Sequence, residues 1–213
     1  MIDYSGPQQA RNGDFTPSIA DIHQVRGTLR HLVPTEIADI ILDMAEYYYT
    51  ITVRTAQPRV VVDTRTNRAD VPIISITLAD PHLAEVADSI VQVSLVIEGH
   101  DQGWSGFQAD QGTTHNSWTW YSIGTNDPVT HEDRLATNLH AVKDTQTHKF
   151  LWDRGSDVVQ LLKDGNTLEV WAHGRYASII APSNESCQTV AGRYPGWKNH
   201  VERAELSIYS FPL

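Results

Sequence analysis

Residues 90–98, which read IVQVSLVIE, contain the pattern that determines the predicted fold class. Val91, Val93, Leu95 and Ile97 occupy every second position, and Gln92, Ser94 and Glu98 lie between them. A strand with this period has one buried face and one wetter face, which is typical of antiparallel sheets. The stretch therefore predicts a strand whose apolar side chains contribute to a core.

The same alternation recurs along the chain, with turn residues between the copies. It is found at 74–78, 168–173 and 204–209, and we also predict a strand around 117–121. Many short strands separated by turns predict a sandwich or a barrel. We expect a mainly β protein: an antiparallel jelly-roll β-sandwich of the galactose-binding-like type, with an N-terminal helical pair.

The first fifty residues have a helical period instead. Pro17-Ser18 and Pro34-Thr35-Glu36 are typical helix starts. The apolar stripe predicted for the second helix consists of Ile37, Ile40, Ile41, Met44, Ala45 and Tyr48. The expected organisation is a flexible arm at 1–17, a helical appendage at 18–50 and the jelly-roll sandwich at 51–213.

Composition excludes several classes of protein. The chain has 213 residues, of which 40% are hydrophobic and 20% charged, as expected for a globular protein. A net charge of −10 argues against nucleic acid or an anionic membrane as a partner. No signal-peptide pattern and no stretch long enough for membrane insertion is visible, and Cys187 is the only cysteine. We expect a cytoplasmic protein without disulfides.

The segment 100–121 combines tryptophans with polar residues in an unusual density. Such clusters often line a pocket for an organic molecule, although a loop pinned by core tryptophans is an equally good interpretation. Asp101 is also expected to accept backbone N–H groups as a structural cap. The candidate substrate-binding residues are His100, Asp101, Trp104, Asn116, Trp118, Trp120, Trp171, Tyr194, Trp197 and Asn199, and the candidate catalytic residues are His115 and His200.

Motifs for bound cofactors are not found. The ten histidines fall in no HExxH pattern, and Cys187 has no cysteine partner for a metal site. Neither GxGxxG nor GxxxxGK[ST] occurs, and the absence of GxSxG argues against a serine hydrolase of that type. We predict no metal and no cofactor.

Two segments resemble an uncharacterised fungal protein family. They are 100–120, with HDQGW, GT and NSWTW, and 194–201, which reads YPGWKNHV. The resemblance implies a galactose-binding-like jelly roll and a fungal origin, but no activity. Gly-Arg-Tyr occurs at 174–176 and again at 192–194, so 177–192 reads as an insertion, either a surface loop or a lid over a binding site.

Three functions remain open. The first is a cofactor-independent cyclase or isomerase acting on a largely apolar small molecule, for instance in a pericyclic step of fungal secondary metabolism. The alternative is a lectin-like carbohydrate-binding module. The second alternative is an adaptor that binds a protein through the N-terminal helices, because 32–42 faintly resembles the start of an F-box. The oligomeric state is left open.

Overall fold

A computed structural model of the chain describes residues 15–62, 69–78, 86–125, 134–175 and 197–211. Within these residues, nine strands form two antiparallel sheets around a shared core, preceded by two helices. The predicted mainly β class and the helical pair are therefore confirmed.

The two sheets have five and four strands. The first sheet has the order β1-β9-β4-β7, and β2 pairs with β9 as well. Its strands are β1 (Tyr49–Arg54), β2 (Arg59–Val62), β4 (Ile90–His100), β7 (Gln146–Asp153) and β9 (Lys198–Ser210). The second sheet has the order β3-β8-β5-β6, with β3 (Ala69–Thr77), β5 (Thr119–Gly124), β6 (Ala136–Thr137) and β8 (Thr167–Gly174).

The chain crosses repeatedly between the two sheets. From β3 onward the strands lie in the second, first, second, second, first, second and first sheet, which is the strand order of a jelly roll. Strands far apart in the sequence therefore become neighbours, as β4 and β9 do in the middle of the first sheet. The five segments predicted as strands all overlap strands of this sandwich.

The core forms from the alternating residues that the sequence pattern identified. Val93, Leu95 and Ile97 of β4 are fully buried. Leu168 and Val170 of β8 join them in the same core cluster. Burying such a side chain stabilises the fold by about 1.5–3 kcal/mol, so the alternation specifies which face of each strand points inward.

A short helix, α3 (Asp157–Lys163), connects β7 to β8. The hydroxyl of Ser156 accepts a hydrogen bond from the Val159 N–H at its start, the usual N-cap arrangement. Val159 and Leu162 are buried in the main core.

The helical pair consists of α1 (Ile19–Arg30) and α2 (Thr35–Met44). The Arg26 guanidinium bonds both carboxylate oxygens of Asp39, at 2.6 and 2.9 Å, and so joins the two helices. Ile22 and Leu42 pack in a separate small cluster with Val91 of β4. The helices are thereby attached to one end of the first sheet.

The apolar stripe predicted for α2 is wrong as the packed face of that helix. Ile37, Ile40 and Ile41 are exposed, and Met44 is 82% exposed. The buried residues of this helix are Ala38 and Leu42, one turn apart. Because these two residues are the only buried ones of the helix, most of the apolar side chains of α2 face solvent.

Candidate functional site

The structure brings the two motif segments together at one end of the first sheet. His100 at the end of β4 pairs with His200 at the start of β9. Their imidazole rings stack, with centroids 4.5 Å apart and planes 9° apart, and Glu202 lies 3.4 Å from Nε2 of His100. The described parts of the two motif segments are therefore neighbours in the sheet. Tyr194 and the insertion 177–192 lie outside those residues.

Asp101 acts as a structural cap. Its fully buried carboxylate accepts the backbone N–H groups of Gln102, at 2.7 Å, and Ala141, at 2.8 Å. Burial raises the pKa of this carboxyl group, and the two N–H groups act in the opposite direction. The carboxylate thus holds the loop after β4 to the loop before β7, in agreement with the expected capping role.

Asn199, the asparagine of the second motif, connects the two sheets. Its side-chain N–H groups donate to the carbonyl oxygens of Trp120 and His173 in the second sheet. Its side-chain oxygen accepts from the hydroxyl of Tyr121 and the amide of Asn138, both at 3.0 Å. All four hydrogen-bonding positions of this buried amide are used, so Asn199 has no free group for a ligand.

Trp197 also belongs to the interior. It is 7% exposed, and its ring centroid lies 5.0 Å from that of His140. Nδ1 of His140 donates to the carbonyl oxygen of Asn116, which ties the first motif loop to this pair. The described motif residues at this end of the sandwich therefore serve mainly to join loops to strands.

The first motif loop projects aromatic side chains into solvent. Trp104 is 53% exposed and Phe107 is 49% exposed. His115 and Asn116 lie further along the same loop, where Asn116 donates to the carboxylate of Asp110 at 2.6 Å. This loop offers a solvent-facing surface held at its base by Asp101.

A hydrogen-bonded relay lies elsewhere, on the face of the second sheet that points away from the core. Nε2 of His173 accepts a hydrogen bond from the Ser122 hydroxyl at 2.7 Å. Nδ1 of the same ring donates to the carboxylate of Asp70 at 2.5 Å. These three residues, which we call the relay, have the order of contacts found in serine nucleophiles activated by histidine and aspartate.

The strand register explains how the relay forms. His173 of β8 is paired with Asp70 on the β3 side and with Trp120 on the β5 side. Ser122 lies two residues beyond Trp120 on β5, so it shares the same face and reaches the ring diagonally. Three adjacent strands therefore each supply one member of the relay.

The surroundings of the relay are aromatic and cationic. Trp120 stacks on His173 with 4.9 Å between ring centroids. Trp171 is the strand partner of Ser122 and is buried. Arg134 and Arg175 approach the Trp120 ring, with Cζ at 4.6 and 4.9 Å from its centroid. Trp118 precedes β5 and has its indole nitrogen buried.

The sequence did not reveal the relay. Ser122 and His173 are 51 residues apart, and Asp70 is 103 residues from His173. No local motif marks such a set, because the contacts depend on the register of three strands. The only available signal was the position of His173 and Trp171 on the polar side of an alternating strand. Among the described residues, His173 rather than His115 or His200 is bonded to both a hydroxyl and a carboxylate.

Two clefts lie away from the tryptophans, beside the helical pair. One, of about 220 Å³, is lined by Tyr48, Gln92, Tyr209 and neighbouring residues. The other, of about 420 Å³, is wide and shallow beside Arg154 and Asp153. The second cleft is the more open of the two.

Comparison with protein-family models finds no match for this chain, and comparison with curated proteins finds none either. In the part of the chain that the structure describes, no helix is long and apolar enough to span a membrane. Within the same residues, no three His, Cys, Asp or Glu side chains are grouped in a way that would hold a metal ion.

Proposed function

We propose that this protein is a cofactor-independent enzyme that transfers an acyl group from an ester to water. The observation that carries the proposal is the relay of Ser122, His173 and Asp70, with contacts of 2.7 and 2.5 Å. A hydroxyl bonded to an imidazole that a carboxylate orients is the arrangement needed to activate a serine.

The relay supports a two-step reaction. The Ser122 oxygen attacks the ester carbonyl carbon while its proton passes to Nε2 of His173, and Asp70 stabilises the imidazolium. That proton then goes to the departing alcohol as the carbon–oxygen bond breaks. A water molecule, deprotonated by the same nitrogen, attacks the acyl-serine, and the proton returns to Ser122 as the acid is released.

The surroundings of Ser122 support this chemistry. The indole N–H of Trp120 is buried and has no hydrogen-bond partner among the described residues. A donor of this kind, next to the relay, suits the negative charge that develops on a carbonyl oxygen. Ser122 and His173 are fully covered, so a substrate reaches them only when side chains over this face move aside.

The proposal keeps the expected class and changes the reaction. A cofactor-free enzyme acting on a small molecule was expected, but a cyclase for an apolar substrate needs an apolar wall. Trp120 and Trp171 lie on the outer face of the second sheet, but the relay and the charges of Arg134 and Arg175 lie there too, which favours acyl transfer. The GxSxG motif marks a serine on a strand-to-helix turn, so its absence does not exclude a nucleophilic serine on a sheet face such as Ser122. Membership of the fungal family and a cytoplasmic location remain proposals.

Ester hydrolysis by the full chain tests the proposed function. We expect turnover of 4-nitrophenyl esters, and a loss of about 10³-fold or more in kcat/KM for Ser122→Ala. The matched control is Ser207→Ala, which removes a buried serine of the other sheet that bonds Thr52. Equal activity of the Ser122→Ala and wild-type proteins would rule the proposal out. An equal loss of activity in Ser122→Ala and Ser207→Ala would also rule it out.

A second candidate function is carbohydrate binding on the exposed motif loop. The observation that favours it is the pair Trp104 and Phe107, exposed on a loop that Asp101 anchors. Aromatic side chains with polar neighbours suit the apolar face of a sugar ring. Glycan-array binding lost in Trp104→Ala and kept in Leu151→Ala, an exposed residue of β7, would support it. Unchanged glycan binding in Trp104→Ala would exclude it.

A further inference from the structure

Two arginines, from beside the two strands that flank β5, converge on one tryptophan of that strand. Arg134 lies just before β6, and Arg175 lies just after β8. Their Cζ atoms are 4.6 and 4.9 Å from the centroid of the Trp120 ring. The backbone N–H of Arg175 bonds the carbonyl oxygen of Trp118, which fixes where its side chain starts.

The described residues supply no counter-charge for these two arginines. In the described part of the chain, no carboxylate lies within ion-pair distance of Arg134 or Arg175. Burial lowers the pKa of the Arg134 guanidinium, and the nearby charge of Arg175 lowers it further. Two like charges held together at a partly buried place cost free energy unless an anion joins them.

An unused donor points to the same place. Nε of Arg175 is buried and has no hydrogen-bond partner within the described residues. The Trp120 ring, which both guanidinium groups contact, also stacks on the His173 imidazole of the relay. Buried donors without partners are rare in proteins. A guanidinium group can donate two parallel hydrogen bonds to two oxygens of a carboxylate or a phosphate.

We propose that Arg134 and Arg175, held against the Trp120 ring, form a subsite for an anionic oxygen group, a carboxylate or a phosphate, on the molecule that the protein binds. The role of this subsite in turnover rests on the proposed ester hydrolysis. The binding of an anion there does not depend on that proposal. Trp120 is the strand neighbour of His173, so an anion held here lies beside the relay. The substrate class that follows is an ester that carries an acid group on the acyl or the alcohol side.

Calorimetric titration of the full chain with succinate and with inorganic phosphate at low ionic strength tests the subsite. We expect binding of at least one anion, weakened about tenfold or more in Arg175→Gln and in Arg134→Gln, because each removes one charged hydrogen-bond donor. Arg175→Lys keeps the positive charge but cannot donate two parallel hydrogen bonds. Its affinity for the anion should lie between that of the wild-type protein and that of Arg175→Gln. Arg203→Gln, which alters an arginine paired with Glu98 in the other sheet, is the control.

The outcomes separate the two proposals. The tighter of the two anions identifies the group that the substrate carries. Normal anion binding by Ser122→Ala together with lost ester turnover supports both proposals. Anion binding without any ester turnover in the wild-type protein leaves the subsite and removes the hydrolase. If neither anion binds, or if Arg203→Gln weakens anion binding as much as the other variants do, the subsite is overturned. Circular dichroism of the variants, together with the exposed position of Arg134, excludes misfolding as the cause of a loss.

Discussion

Asn199 illustrates how a conspicuous motif residue can serve the fold instead of a ligand. Its side chain bonds Trp120, Tyr121, Asn138 and His173, so that the start of β9 is connected to the second sheet. Gly99 is part of the same arrangement, because a Cβ there would collide with the Tyr121 hydroxyl and the His200 carbonyl oxygen. An asparagine and a glycine at these positions therefore follow from packing alone.

Replacing Asn199 by leucine should destabilise the protein by about 3 kcal/mol, because several buried polar groups lose their partners at once. Chemical denaturation measures the change in the free energy of unfolding. Asn166→Leu, at an exposed turn position, should change it by less than about 0.5 kcal/mol. A similar small effect at Asn199 would contradict the structural role.

Strands were predictable where one face is buried, because the pattern is local. The alternation in β4 correctly identified Val93, Leu95 and Ile97 as inward-facing residues. The relay was not predictable in the same way. Ser122, His173 and Asp70 meet only because β5, β8 and β3 are adjacent and in a particular register, and one sequence contains no direct signal of register.

Helix α2 shows the limit of an apolar pattern. Its sequence has more apolar residues than its narrow contact can cover, so the stripe does not identify the buried edge. Leu42→Ala should cost about 3 kcal/mol, since Leu42 is 2% exposed, whereas Met44→Ala should cost less than about 0.5 kcal/mol. Equal costs in thermal or chemical unfolding would mean that the helix packs through its other face. Whether the exposed stripe binds an adaptor partner remains a prediction.

The contact between β4 and β9 should make stability depend on pH. Burial lowers the pKa of His200, and the stacked His100 lowers it further, while Glu202 acts in the opposite direction. The unfolded chain therefore binds a proton at His200 more readily than the folded chain does. Since the state that binds more protons gains as pH falls, stability should decrease on acidification through about pH 6.5.

Unfolding midpoints at pH 7.5 and pH 5.5 test this dependence. His200→Gln should show a smaller drop between the two pH values than the wild-type protein does. His31→Gln, an exposed histidine after α1, is the control and should keep the full drop. An identical drop in all three proteins would show that His200 does not contribute.

At the scale of the whole molecule, the jelly roll leaves two surfaces with different chemistry. The end of the first sheet carries the motif residues, most of them used to join loops to strands. The outer face of the second sheet carries the relay, Trp120 and two arginines without carboxylate partners among the described residues. The sequence predicted a cofactor-free globular protein. The residues of the second surface come together only in the folded arrangement of the strands.

Covalent labelling of Ser122 tests the central claim most directly. A fluorophosphonate reacts with a serine only when its hydroxyl is activated, and the adduct is located by mass spectrometry of peptides. The account predicts one adduct, on Ser122, absent in Ser122→Ala and formed far more slowly in His173→Gln that circular dichroism shows to be folded. No adduct on the wild-type protein, or an adduct that persists in Ser122→Ala, would contradict it.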